Sequence, residues 1–386
     1  MFAFIKKAIK ETDKLLLLIC FMLSAVGIIA VSSATHSVSE EVGFFSRDAK
    51  VMLIAVLLGA FMALIISFLD YELILKIWPL IGLVCLVLMV LLFPFGSAPP
   101  ARSDARSWFK ITSRLYFQPS EIVKIGFVIT FAAHCNKVRE NISSIKNVIF
   151  LCIHAGILIG LVVLTGDMGS ALIFAMMFVA MMFTAGVKWY YFVLGPILVC
   201  AVLPVAWYKV FGTIQRNRIL ALFYPDLYPD EIYQQNMATR AMQNGGLFGK
   251  GLFKGVYHHV VPENQNDMVF SVICEEFGYI GSIVLLLMFV LLIVKIISIG
   301  KKSGSYPAKI MCNGIAFMLG SQIMVNIGMC TKLLPVIGIT LPFISAGGSS
   351  ALCIYLAIGV ALSIYRYSKD VPVGDFIYNR VSFKYK

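Results

Sequence analysis

The sequence predicts an all-α integral membrane protein of about ten transmembrane helices, and three observations carry that prediction. Of its 386 residues, 60% are hydrophobic and only 13% are charged, which lies far outside the range of a soluble globular domain. The apolar residues fall in runs of about 20, the length a helix needs to cross the hydrocarbon of a bilayer. Strand-like alternation of apolar and polar residues is absent, so the spans read as a helical bundle and not a β-barrel.

The spans fall at roughly 15–35, 51–69, 77–95, 120–134, 147–165, 169–186, 189–211, 268–297, 308–331 and 342–365. The first follows Lys6, Lys7, Lys10 and Lys14. Its apolar run is longer than a signal-peptide core and the rest of the chain is polytopic, so it reads as a retained helix. The fourth is the shortest and carries Lys124, with Pro119 placed for the first helical position, where its missing N–H costs nothing. The eighth is the longest, and its first third is expected at the outer surface. The tenth follows "LPVIGITLPFISAGGSS" (334–350), which carries Pro335, Gly338, Pro342, Gly347 and Gly348. Non-helical backbone at membrane depth survives only where protein or a water-filled cavity satisfies it, so this stretch is expected to shape a cavity. Transporters break helices in the same way. All four tryptophans, Trp78, Trp108, Trp189 and Trp207, sit at span edges, as interfacial anchors do.

The whole chain, 1–386, thus reads as one polytopic domain with a large outer loop over 212–266. An N-terminus in the cytoplasm puts Lys137, Arg139, Lys146, Lys188, Lys301, Lys302, Lys309, Arg366 and Lys369 inside, satisfying the positive-inside rule. Ten spans return the C-terminus to the same side. The nine cysteines lie in or beside the spans without CxxC spacing and read as small packing residues.

The net charge is +12, and part of it runs against the positive-inside trend. The short outer loop between the third and fourth spans carries Arg102, Arg106, Lys110 and Arg114 against Asp104. The 212–266 loop adds Arg216, Arg218, Arg240, Lys250 and Lys254. Two readings fit: contact with anionic lipid headgroups, or an outward-facing anion site, since guanidinium groups bind phosphate bidentately. A nucleic-acid partner is excluded by their place on the outer side of a membrane protein. "NGGLFGKGLFKG" (244–255) superficially suggests a phosphate loop, but Asn244 and Gly251 break the Walker pattern, and its glycines read as tight turns.

Ionisable residues in spans cost on the order of 3 kcal/mol each on insertion scales and are functional candidates by default. Glu121 and Lys124 are three residues apart on one helix face. The carboxylate reads either as a first-turn cap or, with Lys124, as an ion pair poised for an anionic ligand. Asp167 reads as a helix cap or a cavity wall. In "PENQNDMVFSVICEEFGYIG" (262–281), a helix from 267 would stack Asp267, Ser271, Glu275 and Gly278 on one face. Asp267 then reads as an N-cap or as a catalytic carboxylate at the water boundary, and Glu275 as a buried partner or as a continuation of the cavity wall. His258, His259 and Glu263 lack metalloprotease spacing.

These motifs converge on one resemblance. "RSWFKITSRLYFQPSEIVK" (106–124), "GDMGSALI" (166–173), "YQQNMATRAMQNGGLFGKG" (233–251), the 262–281 stretch and "NIGMCTKLLPVIGITLPFISAGGSS" (326–350) resemble, in order and over nearly the whole chain, the shape, elongation, division and sporulation family of bacterial peptidoglycan glycosyltransferases, the RodA, FtsW and SpoVE type. The resemblance implies a multi-pass protein of the bacterial cytoplasmic membrane. It would polymerise lipid II, the lipid-linked disaccharide-peptide, on the outer face, beside a class B penicillin-binding protein that cross-links the glycan.

The family's essential acidic residue in PE-x-x-x-D corresponds to Asp267, and its FQPSE-x-x-K Glu and Lys correspond to Glu121 and Lys124. On that reading Asp267 takes the proton of the acceptor 4-hydroxyl, while Lys124 with Arg102, Arg106 and Arg114 holds the pyrophosphate. Glu121 and Glu275 orient these groups. Asp167, Ser349 and Ser350 join the substrate-binding set. No cofactor is called for; a divalent cation, Mg or Mn, would suit a pyrophosphate, but there is no dedicated ligand set.

The chain departs from the family pattern at Asn266 (usually Thr), Gly166 (usually Pro), Ala346 (usually Tyr) and Lys332 (commonly Gly), and its mixed loop motifs leave elongation, division and sporulation open. The rival reading is a flippase for lipid-linked sugars, which would use the same basic cavity and broken helices.

Overall fold

The computed structural model describes residues 12–36, 46–98, 105–112 and 116–369. Thirteen α-helices dominate it among these residues. They are α1 (Lys14–Ala34), α2 (Arg47–Ile66), α3 (Tyr71–Lys76), α4 (Trp78–Phe95), α5 (Pro119–Lys137), α6 (Ile145–Leu164), α7 (Met168–Ala185), α8 (Tyr190–Lys209), α9 (Thr213–Phe223), α10 (Pro229–Gly245), α11 (Val269–Lys302), α12 (Tyr306–Cys330) and α13 (Gly348–Lys369). A two-stranded hairpin, β1 (Phe109–Lys110) against β2 (Tyr116–Phe117), precedes α5.

Nine of these helices are long and apolar enough to cross a membrane. They are the expected spans other than the fourth. That span, α5, is less apolar because it holds Glu121, Lys124, Thr130 and His134, yet most of its residues are buried. Protein surrounds it, so its polar side chains meet other helices instead of lipid, and hydropathy is not what holds it in place. At the other extreme α8 buries no residue and offers an apolar surface on every side.

Local signals start the helices where the sequence places them. Asp13 caps α1 through the Leu16 amide (3.0 Å) and pairs with Lys295 of α11 (2.7 Å). Ser46 caps α2 through Ala49 (3.2 Å), and Ser144 caps α6. Pro119 stands in the first turn of α5 as expected. The bundle's centre is α12 and α13, which pack with α5, α2, α7 and α11. Tyr355 of α13 is fully buried and hydrogen-bonds Ser24 of α1 (2.9 Å). With lipid around it, such a bundle gains little from apolar burial and relies on close packing and interhelical hydrogen bonds.

Two expectations need correction. The tenth span begins at Gly348, not 342, because 341–347 forms turns whose backbone bonds elsewhere. The large outer loop is also substantially helical, holding α9, α10 and short 3₁₀ turns at Pro225–Leu227 and Tyr257–Val260. Their polar composition hid them from a search for apolar runs.

The glycine-rich stretch proves to be a clamp and not a ligand loop. α11 breaks at Gly278, where φ is +68° and ψ is −173°, a conformation close to exclusive to glycine. The break frees backbone groups, and residues 246–251 take them up. Lys250 and Gly251 amides donate to the Glu275 and Glu276 carbonyls (2.9 and 3.0 Å), and the Tyr279 and Ile280 amides donate to Gly246 and Leu247 (3.0 and 3.2 Å). The approach is so close that a Cβ on Gly249 would lie 2.1 Å from the Glu276 carbonyl oxygen. This clamp fixes the outer third of α11, and with it the residues just ahead of the helix.

Candidate active site

Asp267 precedes α11. The helix cap is Met268, so Asp267 is not the cap residue. Instead a tight turn delivers it. The Asn266 and Met268 amides both donate to the Glu263 carbonyl (3.0 and 3.2 Å), and the Asn266 side-chain amide donates to the Glu263 carboxylate (2.7 Å). Glu263 sits in the left-handed region at φ +55°, a strained state for a non-glycine that persists when its surroundings over-determine it.

Three successive carbonyls of this turn are then gripped from outside. The Ala346 amide donates to Gln265 (2.7 Å). The Ser345 hydroxyl donates to Asn266 (2.6 Å). The Asn326 side chain donates both to Asp267 and to Ile339 (2.8 Å each). The broken 335–347 segment therefore serves as a backbone anchor for Asp267 as well as a cavity wall.

Two cavities meet at this point. The larger, about 330 Å³, is lined by Asp48, Trp108, Tyr116, Gln118, Glu121, Ser170, Gln322 and the start of α13 with Ser349 and Ser350. The smaller, about 110 Å³, is lined by Asp167, Arg218, Gln234 and the 335–338 backbone. Glu263, Asp267 and Gly338 belong to both walls. The β1–β2 hairpin, in register Phe109 to Phe117 and Lys110 to Tyr116, brings Trp108 and Tyr116 over the larger cavity. Asp267 is 4% exposed.

Most of the expected site residues gather here, some in altered roles. Glu121 lines the larger cavity, and Lys124 bonds it from behind at 2.7 Å. Lys124 is fully buried and lines neither cavity, so its charge is spent on Glu121. Asp167 is both cap and wall: it accepts from the Ser170 amide (2.9 Å) and from the Gln118 side chain (2.6 Å). Arg106 is exposed, but its neighbours Ala105 and Ser107 line the smaller cavity. Arg102 and Arg114 lie outside the described residues.

Glu275 does not share a wall with Asp267, contrary to the expected stripe. The helix starts after Asp267, and Glu275 is fully buried in another knot. It accepts from Asn244 (2.7 Å), from the amides of Val256, Tyr257 and His258 (3.1, 2.9 and 2.7 Å), and from or through His258 Nδ1 (2.8 Å). Its task is to fasten the outer loop to α11. His258 is committed to the same knot. The His259 ring lies tilted against it, centroids 4.1 Å apart, and burial pushes the His259 pKa below the ordinary histidine value. Four carboxylates line the larger cavity, but no group of three or more His, Cys, Asp or Glu side chains converges on a metal position among the described residues.

Trp108, Tyr116, Arg218, Gln322 and Asn326 join the site without having been singled out for this cavity. For the pair on α12 a signal existed: Gln322 and Asn326 are polar, one turn apart, inside an apolar span. An amide side chain at that depth needs a partner, as a carboxylate does.

Comparison with known proteins bears on this arrangement directly. The family model described as cell cycle protein, covering FtsW, RodA and SpoVE, matches residues 12–370. The chain belongs to that family. It is similar to peptidoglycan glycosyltransferase MrdB of Escherichia coli K12, 29% identical over 75% of this chain and 78% of the relative. It is also similar to a probable peptidoglycan glycosyltransferase FtsW of Geobacter metallireducens, 31% identical over 95% of this chain and 98% of the relative. Its fold matches a solved structure described as the structural coordination of polymerization and crosslinking by a peptidoglycan synthase complex. That match has a TM-score of 0.77 at 24% identity, over 93% of this chain and 99% of the other. With the family come its activity class, peptidoglycan glycosyl transfer, and its location as a multi-pass protein of the bacterial cytoplasmic membrane.

The departures from the family pattern have structural consequences here. Asn266 supplies the bond to Glu263 described above. Gly166 has φ +85°, which a proline could not adopt. Lys332 takes a left-handed φ of +61°, and its ammonium donates to Asn236 (2.5 Å).

Proposed function

We propose that Asp267 is the general base of a polymerase that joins lipid II units on the outer face of the membrane. The observation that carries this reading is the place of Asp267 in the wall common to two cavities, on a backbone gripped at three successive carbonyls. A base must be held within hydrogen-bond reach of the proton it takes, and a site shared by two cavities lets one acidic group face both partners of a transfer.

The reaction is a direct displacement. The acceptor 4-hydroxyl gives its proton to Asp267 as its oxygen bonds to the donor's anomeric carbon. The bond from that carbon to the pyrophosphate oxygen breaks, and the lipid pyrophosphate leaves with the electron pair. Because the leaving group is already activated, no covalent enzyme intermediate is needed. Arg218 is the one basic side chain lining either cavity among the described residues. It favours the smaller cavity for the pyrophosphate, where fixed charge stabilises the departing oxygen, and Arg106 stands between Ala105 and Ser107 of the same wall. Lys124 acts through Glu121, whose carboxylate it holds in the wall of the larger cavity. Asp167 orients Gln118 in the same wall, and Ser349 and Ser350 offer hydroxyls at the start of α13. Among the described residues the carboxylates do not converge on a metal position. In the cell, a class B penicillin-binding protein would take the glycan for cross-linking.

The test is glycan polymerisation from purified lipid II by wild type and by Asp267→Asn, each shown to be folded, with any partner's own polymerase activity removed. The variant is expected to lose 10²- to 10⁴-fold in rate, the usual contribution of a positioned base. Equal rates would remove the base assignment. Lipid II crossing vesicles without glycan formation would support the flippase instead.

A further inference from the structure

Gln322 is a buried polar side chain that the mechanism above leaves unused. It lies on α12, is 2% exposed, and its Oε1 has no hydrogen-bond partner among the described residues. Buried amide oxygens are almost always bonded, and a persistent exception calls for an explanation. Gln322 lines the larger cavity. Its helix places it one turn from Asn326, which holds the Asp267 carbonyl; four residues of helix rise about 6 Å. Gln322 therefore stands one helical turn along the same helix from the Asp267 anchor, and Gln322 and Asp267 both line the larger cavity.

The chemistry of that cavity selects its occupant. Asp48, Glu121, Glu263 and Asp267 line it with carboxylates, and no Lys, Arg or His does so among the described residues. A saccharide would be held, because its hydroxyls donate to carboxylates and amide oxygens while its ring faces pack on Trp108 and Tyr116. A carboxamide also offers an acceptor and two donors on one planar group, which suits a hydroxyl that must both give and receive.

We propose that the larger cavity is the acceptor-sugar subsite and that Gln322 binds the 3-hydroxyl, next to the 4-hydroxyl that Asp267 deprotonates. The inference rests on the glycosyl-transfer reading above. Gln322 fixes the rotation of the sugar about its ring, so that the 4-hydroxyl and no other meets the base. A site built to hydrogen-bond a hydroxyl discriminates against the analogue that lacks it, because its own polar group is then left unpaired.

The experiment measures coupling of a labelled donor, whose terminal 4-hydroxyl is blocked, to acceptor lipid II that carries or lacks the 3-hydroxyl. The enzymes are wild type and Gln322→Met, which keeps the volume and removes the polar atoms; Gln322→Leu replaces it if the first variant does not fold. Wild type is expected to favour the intact acceptor by about tenfold in kcat/KM. The variant is expected to use both acceptors equally, at the lower level, with the loss in KM for the acceptor and not in KM for the donor. Undiminished preference in the variant, or wild-type efficiency with the intact acceptor, would overturn the assignment. Folded wild type that couples neither acceptor would instead overturn the glycosyl-transfer reading, and this inference with it.

Discussion

Replacing Asn326 with alanine tests how the site is held. Asn326 is fully buried, and its side-chain amide donates to the carbonyls of Asp267 and Ile339 at 2.8 Å each. Alanine removes both bonds and leaves two carbonyls in a water-poor interior. Each unsatisfied group costs about 1–3 kcal/mol, and the missing side-chain volume adds to this, so the variant should lose about 3 kcal/mol of stability. By the usual scaling for larger chains, that corresponds to a thermal midpoint lower by about 5 °C, readable by unfolding in detergent.

The effect on rate should be larger than the effect on folding. Freed from Asn326, the Asp267 backbone can shift relative to a sugar held by the cavity, and a displacement of about 1 Å can cost on the order of 100-fold. Polymerisation measured well below the midpoint, where the variant is fully folded, separates the two. Asn326→Asp keeps the shape but, when ionised, has no proton to donate, and should fail in the same way. An alanine variant with an unchanged midpoint and wild-type glycan synthesis would refute the claim that the grip on Asp267 matters.

Two further outcomes follow from the geometry. Lys124→Met leaves Glu121 buried beside no cation and should destabilise the protein by about 3–5 kcal/mol. Glu121→Gln in the same chain should restore much of that stability, by thermal midpoint, without restoring synthesis. His259 responds to pH. Burial is the first cause of its lowered pKa, followed by the neighbouring His258, with Glu275 opposing and His36 adding. A histidine whose folded pKa lies below its unfolded value contributes stability that is fully present above the ordinary value of about 6.5 and is lost as pH falls below it. The midpoint of wild type should therefore drop as pH is lowered through this range, and His259→Gln should flatten that part of the profile.

Much of the molecule was legible in its sequence because a bilayer is a demanding solvent. Apolar runs of fixed length must become helices, since no other open structure satisfies its backbone in lipid. Pro119 and Asp167 mark helix starts by local chemistry that does not depend on the rest of the fold. Charges inside spans are costly enough that Glu121 and Lys124 announced themselves as a pair, and so did the oddity of Asp267 beside an apolar helix.

What only the tertiary structure decided is who meets whom. Asp267 and Glu275 are eight residues apart, yet they serve separate sites, because the helix begins two residues after Asp267 and its outer third is clamped by the glycine stretch. Lys124 and Arg218 are both cations in the sequence, but the first is consumed by Glu121 and only the second lines a cavity. Gln322 gained its meaning from a neighbour 55 residues away in the chain, Asp267. Spacing along a helix fixes which residues share a face. It does not fix what that face looks at, because this depends on packing between segments distant in sequence, and on hydrogen bonds such as that from Asn326 to Asp267, which no local pattern encodes.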